Sequence, residues 1–384
     1  MAFSPGPRQA RRGFLVAGLG LTLVLAGCQT GPRAPRLPGP GAIVPVAVDP
    51  IDTQRNLVAV IVPTSGADGA VGQSIANAAN LALIDSGDRT IRITVYNSAG
   101  MGGAAAAAQR AIAQGNRLIL GPLLAEEVRA AAPIARRAEV PIVAFSNDES
   151  VAGQGVFIMG FTPDQSIDRV IAFARSKGMA RFAALVPTGL YGQRASQAML
   201  AAMRKSGGRL TVIEQYNRSP AAVRTTATGL KSKGVFDAVL IGDSGRIAAS
   251  AAPALPQAAK FLGTELWAGD KTLGRTPSLR GAWYAAAPDF RFDQLSTRYR
   301  ARYGKTPYRL ASLGYDAVLL AVRSSREWPV GRPFPVRRLT EKAGFSGVDG
   351  NFRFGRDGIA ERLLEVRQVT AEGTKVVAPA VKAF

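Results

Sequence analysis

Apolar and polar positions along this chain fall into two alternating kinds of block. Leu57 to Val62 is an apolar run closed by Pro63, the pattern of a strand buried on both faces. Residues 70–86 then place Ile75, Ala78, Ala79, Ala82 and Leu83 on one helical face. Ile91 to Tyr96 alternates as a strand, Gly102 to Gln114 is an alanine-rich helix, and Leu118 to Leu120 is a strand ended by Gly121-Pro122. Residues 125–138 read as a helix and Pro141 to Phe145 as the next strand. Repeated strand–helix units predict a doubly wound parallel sheet. A second series opens at Thr162-Pro163-Asp164, with Thr162 as N-cap of a helix through Lys177. It continues with a strand at Phe182 to Val186, a helix over 190–206, and strands at Leu210 to Tyr216, Ala238 to Ile241 and Lys260 to Leu262, with helices between. Gly281 to Tyr284 is predicted to cross back, helices over 289–303 and 308–326 to rejoin the first lobe, and Gly350 to Phe354 with Arg362 to Val369 to form a closing hairpin. The predicted fold class is therefore α/β: two lobes, each a mostly parallel sheet flanked by helices, joined by several hinge crossings. The first lobe spans 56–161 plus 284–350 and the second 162–283 plus 351–384.

The N-terminus has a different texture. Gly13 to Gly27 carries no charge and follows Arg11 and Arg12. A basic start, a short apolar run and small residues predict a secretory signal over residues 1–27, too short to span a bilayer. Leu25-Ala26-Gly27-Cys28 resembles a bacterial lipobox. That resemblance implies that Cys28 becomes the acylated first residue of the mature chain, and Gln29 rather than Asp after it implies attachment to the outer membrane, facing the periplasm. Arg11-Arg12-Gly13-Phe14-Leu15 resembles a twin-arginine export signal and equally suits an ordinary basic start. Residues 28–55 hold the lipidated cysteine and a tether rich in Pro and Gly. Cys28 is the chain's single cysteine, so no intrachain disulfide can form.

Composition narrows the chemistry. The chain has 48 Lys and Arg against 27 Asp and Glu, a formal charge of +21. The basic residues are scattered, which suits a solvated arginine-rich surface and, in the periplasm, anionic envelope partners. A nucleic-acid partner does not fit an exported chain. There is no histidine, which excludes a Ser-His-Asp triad, a Cys-His dyad and a His-ligated metal. Gly242-Asp243-Ser244-Gly245 looks like a protease nucleophile motif but lacks that base, and reads as a turn after a strand. Gly100 to Gly103 opens a helix with neither a P-loop lysine nor a dinucleotide fingerprint. No enzyme, cofactor or metal is expected, and membrane contact is expected through the lipid anchor only.

Several pieces resemble one family when taken in order. They are Val60-Ile61-Val62-Pro63 with Gly66 and Gly72, Leu120-Gly121-Pro122, Val140 to Val143, Leu190-Tyr191-Gly192-Gln193, Phe236 to Val239, and Gly314 to Val318. Their order and spacing resemble the type 1 periplasmic binding proteins, the leucine-binding-protein class. Gly121-Pro122-Leu123-Leu124, Phe161 to Gln165 and Pro187 to Gly192 are most similar to the lipoproteins called penicillin-binding protein activators. The resemblance implies a non-enzymatic lipoprotein that activates a peptidoglycan synthase. The alternative is the substrate-binding receptor of an amino-acid ABC transporter.

In such a fold a ligand lies beyond the carboxyl ends of the strands. The candidate cleft residues are Ser65, Asn97, Ser146, Asn147, Tyr191, Asp243 and Ser244. Hydroxyls would hold a carboxylate, Asp243 an ammonium group, and Tyr191 would cover the ligand. Each residue type also suits turns and helix caps. Amino-acid receptors of this class place a hydroxyl shortly after the Gly-Pro strand end, where this chain has Leu123-Leu124-Ala125-Glu126. Part of a carboxylate site is thus missing. Trp267, Trp283 and Trp328 are candidate anchors for a protein partner, with core or hinge positions as the other reading.

Overall fold

The strand Asn56–Val62 (β1) shows how the first lobe is built. Val58, Val60 and Val62 face one side of the sheet while Ala59 and Ile61 face the other, and none is exposed. A strand covered on both faces needs helices on both. The computed structural model describes residues 52–381 and 384, all within one compact unit, Val48–Phe384. The expected signal, Cys28 and all but the last residues of the tether lie outside the described residues.

After β1 come α1 (Gly69–Ser86), β2 (Ile91–Asn97), α2 (Gly103–Ala113), β3 (Leu118–Leu120), α3 (Ala125–Arg137), β4 (Ile142–Ala144) and β5 (Val156–Ile158). The sheet order is β2-β1-β3-β4-β5, with all pairs parallel. Helix α2 buries Ala104, Ala107, Ala108 and Ala111, a stripe at helical spacing whose small side chains let it lie close on the sheet. Three-residue β5 was not expected from sequence. Its Val-Phe-Ile is too short to show a period, and pairing with β4 makes it a strand.

The second lobe runs α4 (Pro163–Ser176), β6 (Arg181–Pro187), α5 (Leu190–Ser206), β7 (Arg209–Tyr216), α6 (Pro220–Gly229), β8 (Ala238–Ile241), α7 (Gly245–Ala251), β9 (Lys260–Gly263) and β10 (Trp283–Ala286). Helices α8 (Phe290–Tyr303) and α9 (Ala311–Ser325) return to the first lobe, and α9 packs along α1. The chain ends with β11 (Phe345–Gly347), β12 (Gly350–Phe354), β13 (Ala360–Arg362), β14 (Glu365–Val369) and β15 (Thr374–Ala378). The second sheet has the order β15-β14-β10-β9-β8-β6-β7, antiparallel only at the β15-β14-β10 end. No helix among the described residues is long and apolar enough to cross a membrane.

Three expectations change. Gly281 to Tyr284 does not cross between lobes: Trp283 and Tyr284 begin β10, which pairs with β9 and β14, and the chain crosses after it. The expected closing hairpin is divided between two sheets. β12 joins β11 and β13, whereas β14 joins the second lobe's sheet. The cause is burial: Phe352 and Phe354 belong to the first lobe's core with Phe157 and Phe345. Residues 351–362 therefore sit with the first lobe and β10 with the second, which shifts both expected boundaries. Thr162 does precede α4, but its hydroxyl meets the Asp164 and Gln165 side chains rather than capping a backbone amide.

The crossings are tied to one another. Gln165 Nε2 donates to Ala360 O at 2.7 Å, and its Oε1 accepts from Arg362 N at 2.7 Å. The Arg362 guanidinium, buried between the Phe161 and Phe352 rings, donates to Met159 O.

Candidate functional site

Between the lobes, the loops at the carboxyl ends of both sheets enclose a cavity of about 520 Å³. The first lobe contributes Val71, Leu123, Leu124, Phe145, Phe161 and Leu310, so this wall is apolar. Leu123 and Leu124 are the two residues that replaced the expected hydroxyl. The second lobe contributes Leu266, Ala268, Ala286 and Ala287. Polar groups reach the cavity at Asp68, Asn147 and Arg309 from the first lobe, and at Arg218 and Glu265 from the second.

Of the seven expected residues, Asn147 lines this cavity. Tyr191 and Asp243 stand one step behind it. Tyr191 Oη donates to Glu265 Oε1 at 3.0 Å and shares a 3.0 Å bond with Thr264 Oγ1. It does not cover the cavity. Asp243 is fully buried and fully engaged. Its carboxylate takes Arg218 Nη2 at 2.7 Å, Tyr216 Oη at 2.9 Å and Ser244 N at 2.6 Å. A ligand ammonium would have to displace Arg218, so the expected pairing with Asp243 is not what this geometry offers. The other four shape turns. Asn97 Oδ1 accepts from Thr64 N and Ala99 N, and its Nδ2 donates to Ser65 Oγ at 2.9 Å. Buried Ser146 accepts from Asp148 N at 3.1 Å. Ser244 precedes α7 as its N-cap residue without a side-chain cap bond.

Arg218 follows β7 and Glu265 follows β9, and neither was singled out from sequence. Both stand just past a strand's carboxyl end, so the rule that pointed to the other loops also reaches them. Arg309 carries no such signal. It precedes α9, lies 4.3 Å over the Phe292 ring and donates to Asp349 Oδ1 at 2.5 Å.

Burial pushes the Glu265 carboxyl up to about 7, against the lowering effect of hydroxyl bonds from Ser166 and Tyr191. Burial also raises the Tyr191 hydroxyl well above its usual range, and the Glu265 charge adds to this. Arg218 is held above its ordinary value by its bond to Asp243. The arrangement can enclose a small, largely apolar molecule and meet its polar end at Arg218, whose side chain is 56% exposed. Trp267 and Trp328 are core residues at 0% and 3% exposure. Half-buried Trp283 lies edge-on to Phe173 with Lys260 over its ring. None of the three stands free as a surface anchor. Among the described residues no group of three or more acids or cysteines could hold a metal ion.

Comparison with known proteins bears on this geometry. A family model described as a periplasmic binding protein matches residues 57–374. A putative branched-chain amino acid ABC transporter protein from Rhodospirillum rubrum superposes with a TM-score of 0.74 at 20% identity, covering 84% of this chain and 100% of that one. A leucine binding protein from Thermotoga maritima gives 0.65 at 20% identity, covering 85% and 99%. A solute binding protein of an ABC transporter from Rhodopseudomonas palustris BisB5, in complex with 3,4-dihydroxybenzoic acid, gives 0.69 at 19%, covering 86% and 98%. These structures share the two-lobed α/β fold. An uncharacterized protein of Rickettsia prowazekii is 25% identical over 175 residues, which cover 46% of this chain and about half, 47%, of that protein.

Proposed function

We propose, for a chain that belongs to the periplasmic binding protein family, that the cavity between the lobes binds one small solute without transforming it. The observation that carries the reading is the wall itself: both lobes contribute to one cavity of about 520 Å³, mostly apolar, with Arg218 and Glu265 at its polar side. That volume suits a single amino acid or aromatic acid, and pockets of this size bury most of such a ligand. The Thermotoga protein is a leucine binding protein and the Rhodopseudomonas protein holds a dihydroxybenzoic acid, so both ligand types belong in the trial. A ligand at a hundredfold excess over its Kd adds about 2.7 kcal/mol of stability. The test is a thermal-unfolding panel of leucine, isoleucine, phenylalanine and hydroxybenzoates, with Leu124→Asp as the blocked control. A raised midpoint lost in the control supports the reading. No shift with any ligand at millimolar concentration overturns it for these classes.

A second reading has its own support. The expected ammonium partner, Asp243, is engaged by Arg218, and Leu123-Leu124 stand where a carboxylate-binding hydroxyl is expected. A cleft without these groups suits a lipoprotein anchored through Cys28 to the outer membrane, where it activates a peptidoglycan synthase through a lobe surface. Crosslinking in the native envelope tests this: recovery of a penicillin-binding protein supports it, and its absence beside a working solute cleft sinks it.

A further inference from the structure

Two charged side chains with unused hydrogen-bonding capacity line the cavity from opposite lobes. Asp68, in the loop after β1, stands directly before α1 on the first lobe's wall. It is half-buried, and its side chain makes no cap bond to the helix. Among the described residues its carboxylate has no hydrogen-bond or ion-pair partner. Arg218 lines the second lobe's wall. Its Nε donates to Asp243 Oδ1 at 3.1 Å and its Nη2 to the same oxygen at 2.7 Å, which fixes the plane of the guanidinium. A guanidinium carries five N–H donors in a rigid fork. Pairing through Nε and Nη2 leaves the edge formed by Nη1 and the second Nη2 hydrogen, and such an edge takes a carboxylate through two parallel bonds.

The other charged groups of the wall are engaged. Both carboxyl oxygens of Glu265 accept hydroxyls, one from Tyr191 and one from Ser166. Arg309 Nη1 donates to Asp349 and to Ser312 Oγ. Arg218 and Arg309 are each balanced by an acid with a fully buried side chain, Asp243 and Asp349. Asp68 is therefore the uncompensated charge of the first lobe's wall.

We propose that the cavity selects an apolar zwitterion, whose carboxylate meets Arg218 on the second lobe and whose ammonium group meets Asp68 on the first. The inference rests on the cavity being a solute site and names what that site prefers. Asp68 acts in two ways: it attracts an ammonium group, and it repels a ligand that brings a carboxylate alone. Arg218 acts in the converse way on a bare amine. The apolar wall of Leu123, Leu124, Phe145 and Phe161 takes the body of the ligand. A molecule with one charged end leaves the charge on the other wall desolvated and without a partner, which is costly. A molecule with both ends satisfies both walls.

The test is calorimetric titration of the full chain at neutral pH with two matched sets of ligands. In one set phenylalanine is compared with 3-phenylpropanoate and phenethylamine. In the other, 4-(aminomethyl)benzoate, whose charges are far apart, is compared with 4-methylbenzoate and 4-methylbenzylamine. At least one zwitterion is expected to bind about tenfold or more tightly than both of its singly charged analogues. Asp68→Asn is expected to remove the margin over the acid and keep the margin over the amine. Arg218→Gln, made together with Asp243→Asn so that no buried carboxylate loses its partner, is expected to remove the margin over the amine and keep that over the acid. An unchanged thermal midpoint shows that each variant is folded. An acid or amine that binds as tightly as its zwitterion, or a margin that survives its variant, overturns the inference and leaves a solute site standing. No binding by any of the six also overturns it, and the solute reading falls with it only if the leucine, isoleucine and hydroxybenzoate panel is silent too.

Discussion

Asp243 shows how one buried side chain can look available in a sequence and be unavailable in the fold. It sits after a strand end, where acids often meet ligands, yet Tyr216, Arg218 and Ser244 take its carboxylate. Its backbone oxygen accepts from Trp267 Nε1 at 3.0 Å, which fixes the largest side chain of the second lobe's core beside it. Asp243→Ala leaves the Tyr216 hydroxyl without its partner, while half-exposed Arg218 recovers water. A loss of about 2 kcal/mol is expected by urea denaturation. Glu265 provides a second test. Its carboxyl is raised by burial to about 7 in the fold, so its contribution to stability is full below its unfolded value and is lost as pH rises through about 7. The thermal midpoint should fall between pH 5 and 8, and Glu265→Gln should make that slope shallower. Asp316, which burial and Asp349 push up to about 7, supplies part of what remains.

The strand–loop–helix units of the two lobes share one close approach. A Cβ on Gly72 would stand 1.8 Å from Pro63 O, and one on Gly192 would stand 1.6 Å from Pro187 O. In each lobe the first turn of a helix lies against the proline that ends the preceding strand, so both positions need glycine. Gly192→Ala forces that backbone apart and is expected to cost about 1–3 kcal/mol in urea unfolding. Gly229→Ala, at the end of α6 with open space around it, should be neutral or stabilising by up to about 1 kcal/mol. Equal effects at the two positions would refute the packing argument. These elements were legible in the chain because strand and helix periods are local. The alanine stripe of α2 and the Pro63 and Pro187 strand ends lie within a few residues of what they specify. β5 and the division of the tail were not legible, since three apolar residues have no period and Phe352 is drawn into the first lobe by Phe345 and Phe354.

For the molecule as a whole, specific side-chain bonds tie the crossings between the lobes. Gln165, at the start of the second lobe, bonds twice to the returning strand β13, so two of the crossings move together. Gln165→Ala removes both bonds. Faster amide exchange over residues 360–364 is expected, with a stability loss of about 1–2 kcal/mol. Unchanged exchange there would mean that Arg362 alone holds the crossings. This hinge and the Asp148–Arg194 pair join residues from separate parts of the chain, and no local pattern marks them.

The order of strands and helices, and with it the two-lobed α/β class, could be read from residue patterning because each element's buried face is written in its own few residues. The roles of single polar residues could not. Asp243 is closed by Arg218, Tyr191 turns to Glu265, and Arg194 meets Asp148 only because folding brings distant loops to one cleft. Whether a serine, an acid or a tyrosine is free to touch a ligand depends on which partner burial places within about 3 Å of it, and that partner comes from the tertiary structure.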